Sequence, residues 1–315
     1  MLSTRKLLKL LKRASEKWPS AEIDWEASDM NDTTTVTAHQ QVPKRKKSKF
    51  EKAISSKSFW RGVVALIGFV IFWEICSRFK MWTGIEVPWI GKVPPPTEVL
   101  VAWSDVIYMP GYWESWYLST GRVFAGFIAA MVFGIPFGLA LAVNRYFRDI
   151  FFPPFEVLRP IPPLAWVPAS IIFWPTSELS IAFVTFLGAF FAIVINVVGG
   201  AQSIDIRYLR AAQSMGATQW HMFSKIILPG TLPSIFTGAA VGMGITWEVV
   251  LAGEMISGGG QQGGGGLGFF IWSSFMGGTV PQVVVGMISI GIAGYLCSSL
   301  IRFIGARSMP WERLF

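Results

Sequence analysis

Six stretches of the chain are long and apolar enough to cross a lipid bilayer as helices. Such a helix needs about 20 mostly apolar residues. The qualifying segments are Phe59–Phe79, Gly121–Val143, Pro154–Trp174, Leu179–Gly200, Ser234–Ile256 and Gln282–Ile304. Only 15% of the residues are charged, whereas soluble proteins carry about 25%. The sequence therefore predicts an all-α integral membrane protein with about six transmembrane helices.

Four prolines, at positions 160, 162, 163 and 168, interrupt the third of these segments. Each proline removes a helical hydrogen bond. Inside a membrane such gaps survive only where protein or a water-filled cavity satisfies the backbone. We therefore expect this segment to be kinked and packed inside the bundle.

The distribution of charge predicts the orientation of the chain in the membrane. The formal net charge is +8, and residues 1–58 carry 13 Lys/Arg against 7 Asp/Glu. Lys and Arg recur in every second connection, whereas residues 257–281 contain neither. This bias predicts cytoplasmic N- and C-termini in a multi-pass membrane protein. We interpret the basic tail as a membrane flank, not as a site for nucleic acid.

Three regions follow from the same pattern: a tail and linker at 1–58, a membrane domain at 59–305, and a cytoplasmic C-terminal tail at 306–315. Met1–Lys17 alternates leucine pairs with basic residues. This segment is either an amphipathic helix on the anionic membrane lipids of the inner leaflet or a solvated tail. The sequence leaves both open.

The connection at 201–233, on the predicted cytoplasmic side, is too polar and too long for a simple hairpin. It contains Arg210-Ala211-Ala212, then Gly216 after three residues, and then Ile226, Leu228 and Pro229. Small alanines permit a close approach to another protein, and glycine permits a turn outside the right-handed helical region. We expect two short helices here, the second of which ends at Pro229 and Pro233 before the next span.

This spacing resembles the EAA motif with which permeases of binding-protein-dependent importers dock their ATPase. Arg210 stands where the motif has an acidic residue. The resemblance implies a docking role for one set of residues in this loop. They are Arg210, Ala211, Ala212, Gly216, Ala217, Phe223, Ile226, Leu228 and Pro229.

Runs elsewhere resemble permeases of the nitrate/sulfonate/bicarbonate (taurine) family of ABC importers. These runs are Leu158–Ala165, Leu187–Phe191, Leu232–Gly238, Gly253–Ile256, Gly266–Gly268 and Pro310-Trp311. The resemblance implies a type I importer permease fold and a small anion as cargo. It also implies a second permease copy, two ATPase subunits that bind ATP and Mg, and a periplasmic or lipid-anchored binding protein. No cofactor is expected in this chain.

Charged and polar residues at membrane depth are candidates to line a translocation path, because charges there usually face a bundle interior or a cavity. The candidates are Arg159, Trp166, Asn196, Trp247, Glu248 and Glu254. Arg159 is a possible anion contact, although an arginine near the end of a span also snorkels to the interface or pairs with a carboxylate. The two glutamates would repel an anion if ionised, which favours a structural or gating role for them.

Two other classes of protein fit the sequence less well. A self-sufficient secondary transporter would show inverted repeats, and only the prolines of the third span favour it. A membrane enzyme would need a catalytic constellation, and the sequence contains no Ser-His-Asp or HExxH arrangement. The glycine-rich Gly258–Gly268 lacks the GK[ST] of a phosphate-binding loop. It is interpreted as a flexible outer loop or a surface for a binding protein.

Overall fold

The computed structural model of the chain describes residues 57–83, 93–256, 265–309 and 311. These residues are mostly helical, and no β-strand occurs among them. The helices are α1 (Lys57–Thr83), α2 (Pro96–Ile107), α3 (Pro110–Val143), α4 (Arg145–Leu158), α5 (Val167–Phe173), α6 (Ser177–Gln202), α7 (Ile206–Ser214), α8 (Gln219–Met222), α9 (Leu228–Ile256), α10 (Leu267–Met276) and α11 (Val280–Ser308). The predicted tail up to residue 56 and the glycine-rich stretch 257–264 lie outside the described residues.

Within the described residues, five helical stretches are long and apolar enough to span a membrane. They are Trp60–Phe79, Pro110–Val143, Ser177–Gln202, Gln219–Ile256 and Val280–Ser308. They coincide with five of the six predicted spans, and the prediction of a helical membrane fold is confirmed. The helix of the second predicted span begins at Pro110 instead of Gly121.

The remaining predicted span, Pro154–Trp174, is broken rather than merely kinked. α4 ends at Leu158, a 3-10 turn covers Pro163–Trp166, and α5 is only seven residues long. Prolines at 160, 162 and 163 remove three helical donors within four residues, which explains the break. One face of α5 is buried, at Val167 and Ser170, while Ile172 is 82% exposed. We expected the whole segment to pack inside the chain's own bundle. This expectation is wrong for the face of α5 that carries Ile172, because that face is exposed.

The predicted helix end at Pro229 and Pro233 is also wrong, because the helical run continues from Gln219 to Ile256. A π-helical turn at Phe223–Ile227 joins α8 to α9. Pro229 lies inside this continuous run, two residues after the π-helical turn ends. Thr231 Oγ1 then donates to the carbonyl of Ile227 at 2.7 Å. The docking segment and the fifth span are therefore one continuous element.

Small residues bring α3, α6 and α9 close together. On α3, Gly126, Ala130, Gly134 and Gly138 recur every fourth residue, and a Cβ on Gly138 would lie 2.9 Å from Val197 of α6. A Cβ on Gly242 of α9 would lie 3.2 Å from the Ala189 Cα. In a membrane, helix association depends on such packing because lipid tails are as apolar as the side chains.

α11 and α10 complete the bundle around α9. A Cβ on Gly305 of α11 would lie 2.8 Å from the ring of Phe236 on α9. The buried hydroxyl groups of Tyr112 and Ser289 are 2.7 Å apart and connect α3 to α11. The largest hydrophobic core cluster therefore includes residues of α3, α6, α9, α10 and α11.

α1 is more loosely attached, and most of its apolar side chains are exposed. Trp73 packs against the core, and a polar contact adds to this: the amide of Thr97, in the first turn of α2, donates to Glu74 Oε2 at 3.2 Å. Arg78 Nη2 also donates to Thr97 Oγ1 at 2.8 Å. The carboxylate of Glu74 thus satisfies one of the free amides at the start of α2.

The contact between α3 and α6 can be tested by adding one methyl group. In Gly126→Ala the new Cβ would lie 2.1 Å from Thr185 Oγ1 and 2.8 Å from the backbone nitrogen of Phe186. Backbone cannot yield cheaply, so we expect the free energy of unfolding to fall by about 1–3 kcal/mol. Thermal unfolding of the protein in detergent measures this.

Gly121→Ala is the matched control on the same helix, because no atom lies within 4 Å of its added Cβ. Equal stability of the two variants would contradict the tight approach of α3 to α6.

Candidate functional site

The segment with the EAA-like spacing forms a helix, a tight turn and a second helix at one end of the bundle, here termed the α7 end. Asp205 caps α7, since its Oδ1 accepts from the amide of Arg207 at 2.8 Å. Its Oδ2 also accepts from Arg207 Nε at 2.7 Å, and this bond lowers the pKa of the Asp205 carboxyl. The start of α7 is therefore held by local polar contacts.

Gly216 makes the turn between α7 and α8. Its φ is +81°, in the left-handed region that glycine adopts without strain. The amide of Gly216 donates to Gln213 O at 2.9 Å, and that of Ala217 to Ala212 O at 3.0 Å. This pair of bonds is the Schellman end of a helix. The backbone conformation of this turn thus explains why the motif has a glycine at this position. Thr218 caps α8 immediately afterwards.

The docking residues divide into exposed and supporting groups. Arg210, Ala211 and Gly216 are exposed, whereas Ala212 is buried. Ala217, Phe223, Ile226, Leu228 and Pro229 are half-buried. The side chain of Arg210 makes no hydrogen bond or ion pair to a described residue, so nothing there replaces a contact of the motif's acid.

Large apolar side chains project from the same turn. Met215 is 81% exposed and Trp220 is 71% exposed. A hollow of about 490 Å³ lies between α7, the π-helical turn and Trp311. A second, of about 600 Å³, separates the segment from the ends of α3 and α6. Exposed apolar surface of this kind is suited to contact with another protein or with the membrane.

At the opposite end of the bundle, the α10 end, two buried charged side chains and one exposed one form an ionic cluster. Arg122 of α3 lies between Glu178 of α6 and Glu254 of α9. Arg122 Nη1 donates to Glu254 Oε1 at 2.9 Å, and its Nε donates to Glu178 Oε2 at 2.8 Å. Nη2 also donates to Glu178 Oε1. We call these three residues the Arg122 cluster.

Glu254 is fully buried, and its carboxylate has further donors. Ser119 Oγ donates to it at 2.8 Å, and the amide of Gly268 at 2.8 Å. Ser119 Oγ in turn accepts from the amide of Leu267 at 2.8 Å. The cluster therefore fixes the start of α10 against α3 and α9. A buried charge is retained only with such pairing.

Residues 134–312 match the family model described as "Binding-protein-dependent transport system inner membrane component". The chain belongs to this family. The nitrate import permease protein NrtB of Synechocystis sp. is 32% identical over 86% of this permease and 96% of its own length. The taurine transport system permease protein TauC of Escherichia coli is 32% identical over 73% and 85%. The bicarbonate transport system permease protein CmpB of Synechococcus elongatus is 31% identical over 77% and 86%.

The permease is thus the membrane-embedded subunit of an ABC importer, which works with ATPase and solute-binding partners. The prediction drawn from the EAA-like loop and the family-like runs is confirmed at this level.

The structure does not bring the six predicted path residues of the permease into one site. Arg159 is exposed and pairs with Glu156, with Nη1 and Oε1 3.3 Å apart. Trp166 packs against the small cluster that contains Val249. Asn196 donates to the carbonyl of Ala192 at 2.8 Å.

The three candidates on α9 have different environments. Trp247 is 2% exposed and Glu254 is fully buried, so both belong to the interior of the bundle. Glu248 is exposed. Its side chain forms no hydrogen bond or ion pair with the described part of the chain. Glu248 thus remains on an open face of a helix that is otherwise mostly packed.

The residues predicted for the path include neither Arg122 nor Glu178, although the positions of both residues in the sequence indicate an ion pair. Arg122 follows the predicted start of the second span, and Glu178 precedes the fourth. Glu254 lies near the end of the fifth. Alternating spans place these three positions at the same side of a bilayer. A cation and two acids at one depth predict an ion pair.

The Arg122 cluster should contribute strongly to stability. Glu254→Ala leaves Arg122 with one acid and removes the acceptor of the Gly268 amide. We expect the free energy of unfolding to fall by roughly 3–5 kcal/mol, the usual cost of breaking a buried pair. Thermal unfolding of the purified permease measures this.

Glu248→Ala, on the same helix, is the matched control and should change stability by less than about 0.5 kcal/mol. Similar losses of unfolding free energy in both variants would contradict the prediction that the Arg122 cluster stabilises the fold.

Proposed function

We propose that this permease imports a small oxyanion of the nitrate, bicarbonate or sulfonate type, driven by ATPase subunits that dock on α7, Gly216 and α8. The exposed apolar turn at Met215 and Trp220 carries the proposal. The named cargoes of three relatives, which are 31–32% identical, support the choice of anion. ATP and Mg belong to the ATPase in this scheme, and the permease needs no cofactor.

The docking segment is built to transmit movement. Asp205, Thr218 and the Schellman turn close the ends of its short helices. The helical run Gln219–Ile256 then leads without a break from the docking turn to Glu254 in the Arg122 cluster. Movement of a docked ATPase would shift α8, and α9 would carry that shift to the α10 end. A partner biases a conformational equilibrium only through contacts that differ between the states.

We assign the path to the interface with a second copy of the permease. α9 is central and mostly packed, yet Thr237, Val241, Gly244 and Glu248 are exposed along it. Their spacing of four, three and four residues places them on one face. This open face would meet its counterpart across the pathway. Two copies would then carry two ATPases.

The orientation of the permease and the partner at each end follow from the distribution of charge and from the family. The basic residues flanking the first span favour cytoplasmic termini in a bacterial inner membrane. With that orientation the α7 end faces the cytoplasm and its ATPase. The α10 end faces a periplasmic or lipid-anchored binding protein that delivers the anion.

Cross-linking tests the docking surface. The two native cysteines, Cys76 and Cys297, are free and half-buried, so both are replaced with serine. Met215→Cys is then expected to cross-link to a cysteine introduced in the ATPase subunit encoded with it. The product is measured as a band of added mass on a denaturing gel.

Tyr108→Cys is the control, because Tyr108 is 86% exposed at the α10 end. No product at position 215, or an equal yield at position 108, would contradict docking at the α7 end.

A substitution in the turn should uncouple the two subunits. Gly216→Ala forces a Cβ into the left-handed region, which costs about 1–2 kcal/mol although no atom crowds that position. We expect ATP-dependent uptake into proteoliposomes to fall at least severalfold while the membrane bundle stays folded. Nitrate, bicarbonate and taurine are the substrates to test.

Gly199→Ala is the control, since its Cβ is equally uncrowded in α6 and its backbone is helical. Normal uptake by Gly216→Ala would contradict a rigid docking turn. Absence of ATP-dependent uptake of all three compounds in the intact importer would overturn the proposed cargo.

A further inference from the structure

We infer that Arg122 is an oxyanion-binding group of the permease, and that Glu178 occupies its binding position until the cargo displaces it. The inference rests on the proposed function, because it names the residue that meets the anion at the α10 end. It concerns a site distinct from Arg159, the arginine that the sequence suggested.

The geometry of the pair is the first argument. Arg122 presents Nε and Nη2 side by side to the two oxygens of Glu178. This two-pronged arrangement is how a guanidinium group recognises carboxylates and other planar oxyanions. An anion with two oxygens on one central atom can therefore take the place of that carboxylate without a change in the guanidinium position.

The two side chains of the pair also differ in how accessible they are from outside the bundle. The Arg122 side chain is 4% exposed, whereas the Glu178 side chain is 48% exposed. Glu178 is in the first turn of α6, so its carboxylate can swing outward while Arg122 remains in the bundle. Glu178 thus covers the route from outside to the guanidinium.

Glu254 supplies the third argument, because it holds Arg122 from the other side. It is fully buried, and it accepts from Arg122 Nη1, Ser119 and the amide of Gly268. Loss of Glu178 would therefore leave the guanidinium oriented. The two acids have different roles: Glu254 positions Arg122, and Glu178 is the exchangeable competitor.

The charge of the cluster selects the class of anion. One arginine and two carboxylates are present, and a monovalent oxyanion that replaces Glu178 leaves the buried charge unchanged. A dianion such as sulfate would add a negative charge near Glu254, where like charges repel. The site should therefore favour nitrate, bicarbonate or a sulfonate over sulfate.

Removal of the competitor tests the inference. The full-length permease in lipid nanodiscs is titrated with sodium nitrate by calorimetry, at an ionic strength held constant with sodium chloride. Glu178→Gln keeps the size of the side chain and removes its charge. We expect nitrate to bind at least about tenfold more tightly to this variant than to the unmodified permease, because a charged hydrogen-bonded competitor is lost. The affinity of this variant for sulfate should increase much less.

Arg122→Lys in the Glu178→Gln background is the matched control. Lysine keeps the positive charge but lacks the planar fork, so the gain in nitrate affinity should disappear. An unchanged affinity in Glu178→Gln, or an equal gain with lysine, overturns the inference. Thermal unfolding verifies that each variant is folded.

A measurement without any substitution covers the case in which Glu178→Gln does not fold. Carbodiimide with an amine nucleophile labels accessible carboxylates, and mass spectrometry of peptides reports the rate at each position. We expect nitrate to accelerate labelling of Glu178 at least severalfold relative to chloride. Asp105 of α2, which is exposed and makes no ion pair with a described residue, is the internal reference and should not respond. Equal rates at Glu178 in both salts overturn the inference.

The experiments distinguish a failure of the Arg122 inference from a failure of the proposed function. If the Met215 cross-link forms and nitrate is imported, but Glu178 labelling ignores nitrate, then the role of Arg122 is wrong and the proposed function stands. If no oxyanion is imported, the proposed cargo fails irrespective of Arg122.

Discussion

The close approach of α3, α6 and α9 is the contact on which the rest of the permease depends. Lipid tails compete equally with apolar side chains, so helices in a membrane associate through close packing and polar contacts. Gly126, Gly138 and Gly242 allow such packing, because a Cβ at each would crowd the facing helix. This proximity also places Arg122 of α3 within reach of Glu178 and Glu254. The glycine contacts and the Arg122 cluster are thus parts of one arrangement.

Prolines have opposite consequences in two segments that differ in how densely the prolines are spaced. At 160–163 three prolines fall within four residues, and the helix stops. Pro229 and Pro233 are four residues apart, and the helix continues past both. A π-helical turn precedes the first, and Thr231 and Thr237 donate to nearby carbonyls at 2.7 and 2.9 Å. This continuity joins the proposed ATPase surface to the α10 end.

The sequence predicted most of the fold because hydrophobic length identifies spans directly. Five of its six segments are membrane-length helices, and the turn at Gly216 lies where the motif placed it. It did not predict that the helix continues past Pro229 and Pro233, because the hydrophobic pattern does not reveal the π-helical turn that precedes Pro229. Nor could it separate Glu248 from Glu254. They share a helix, yet one is exposed and the other fully buried, because burial depends on which helices surround α9.

Arg159 and Arg122 show why the residue type alone did not identify an anion contact. Both are arginines near the end of an apolar run, and each has a carboxylate partner. The Arg159 side chain is 44% exposed and its partner Glu156 is three residues away on the same turn, so water screens the pair. Arg122 is almost fully buried between acids from two other helices. In that setting an ionic contact is strong and costly to leave unmade, and an exchange of one anion for another preserves it. The environment that only the assembled helices create is therefore what distinguishes a surface ion pair from a group able to recognise a cargo.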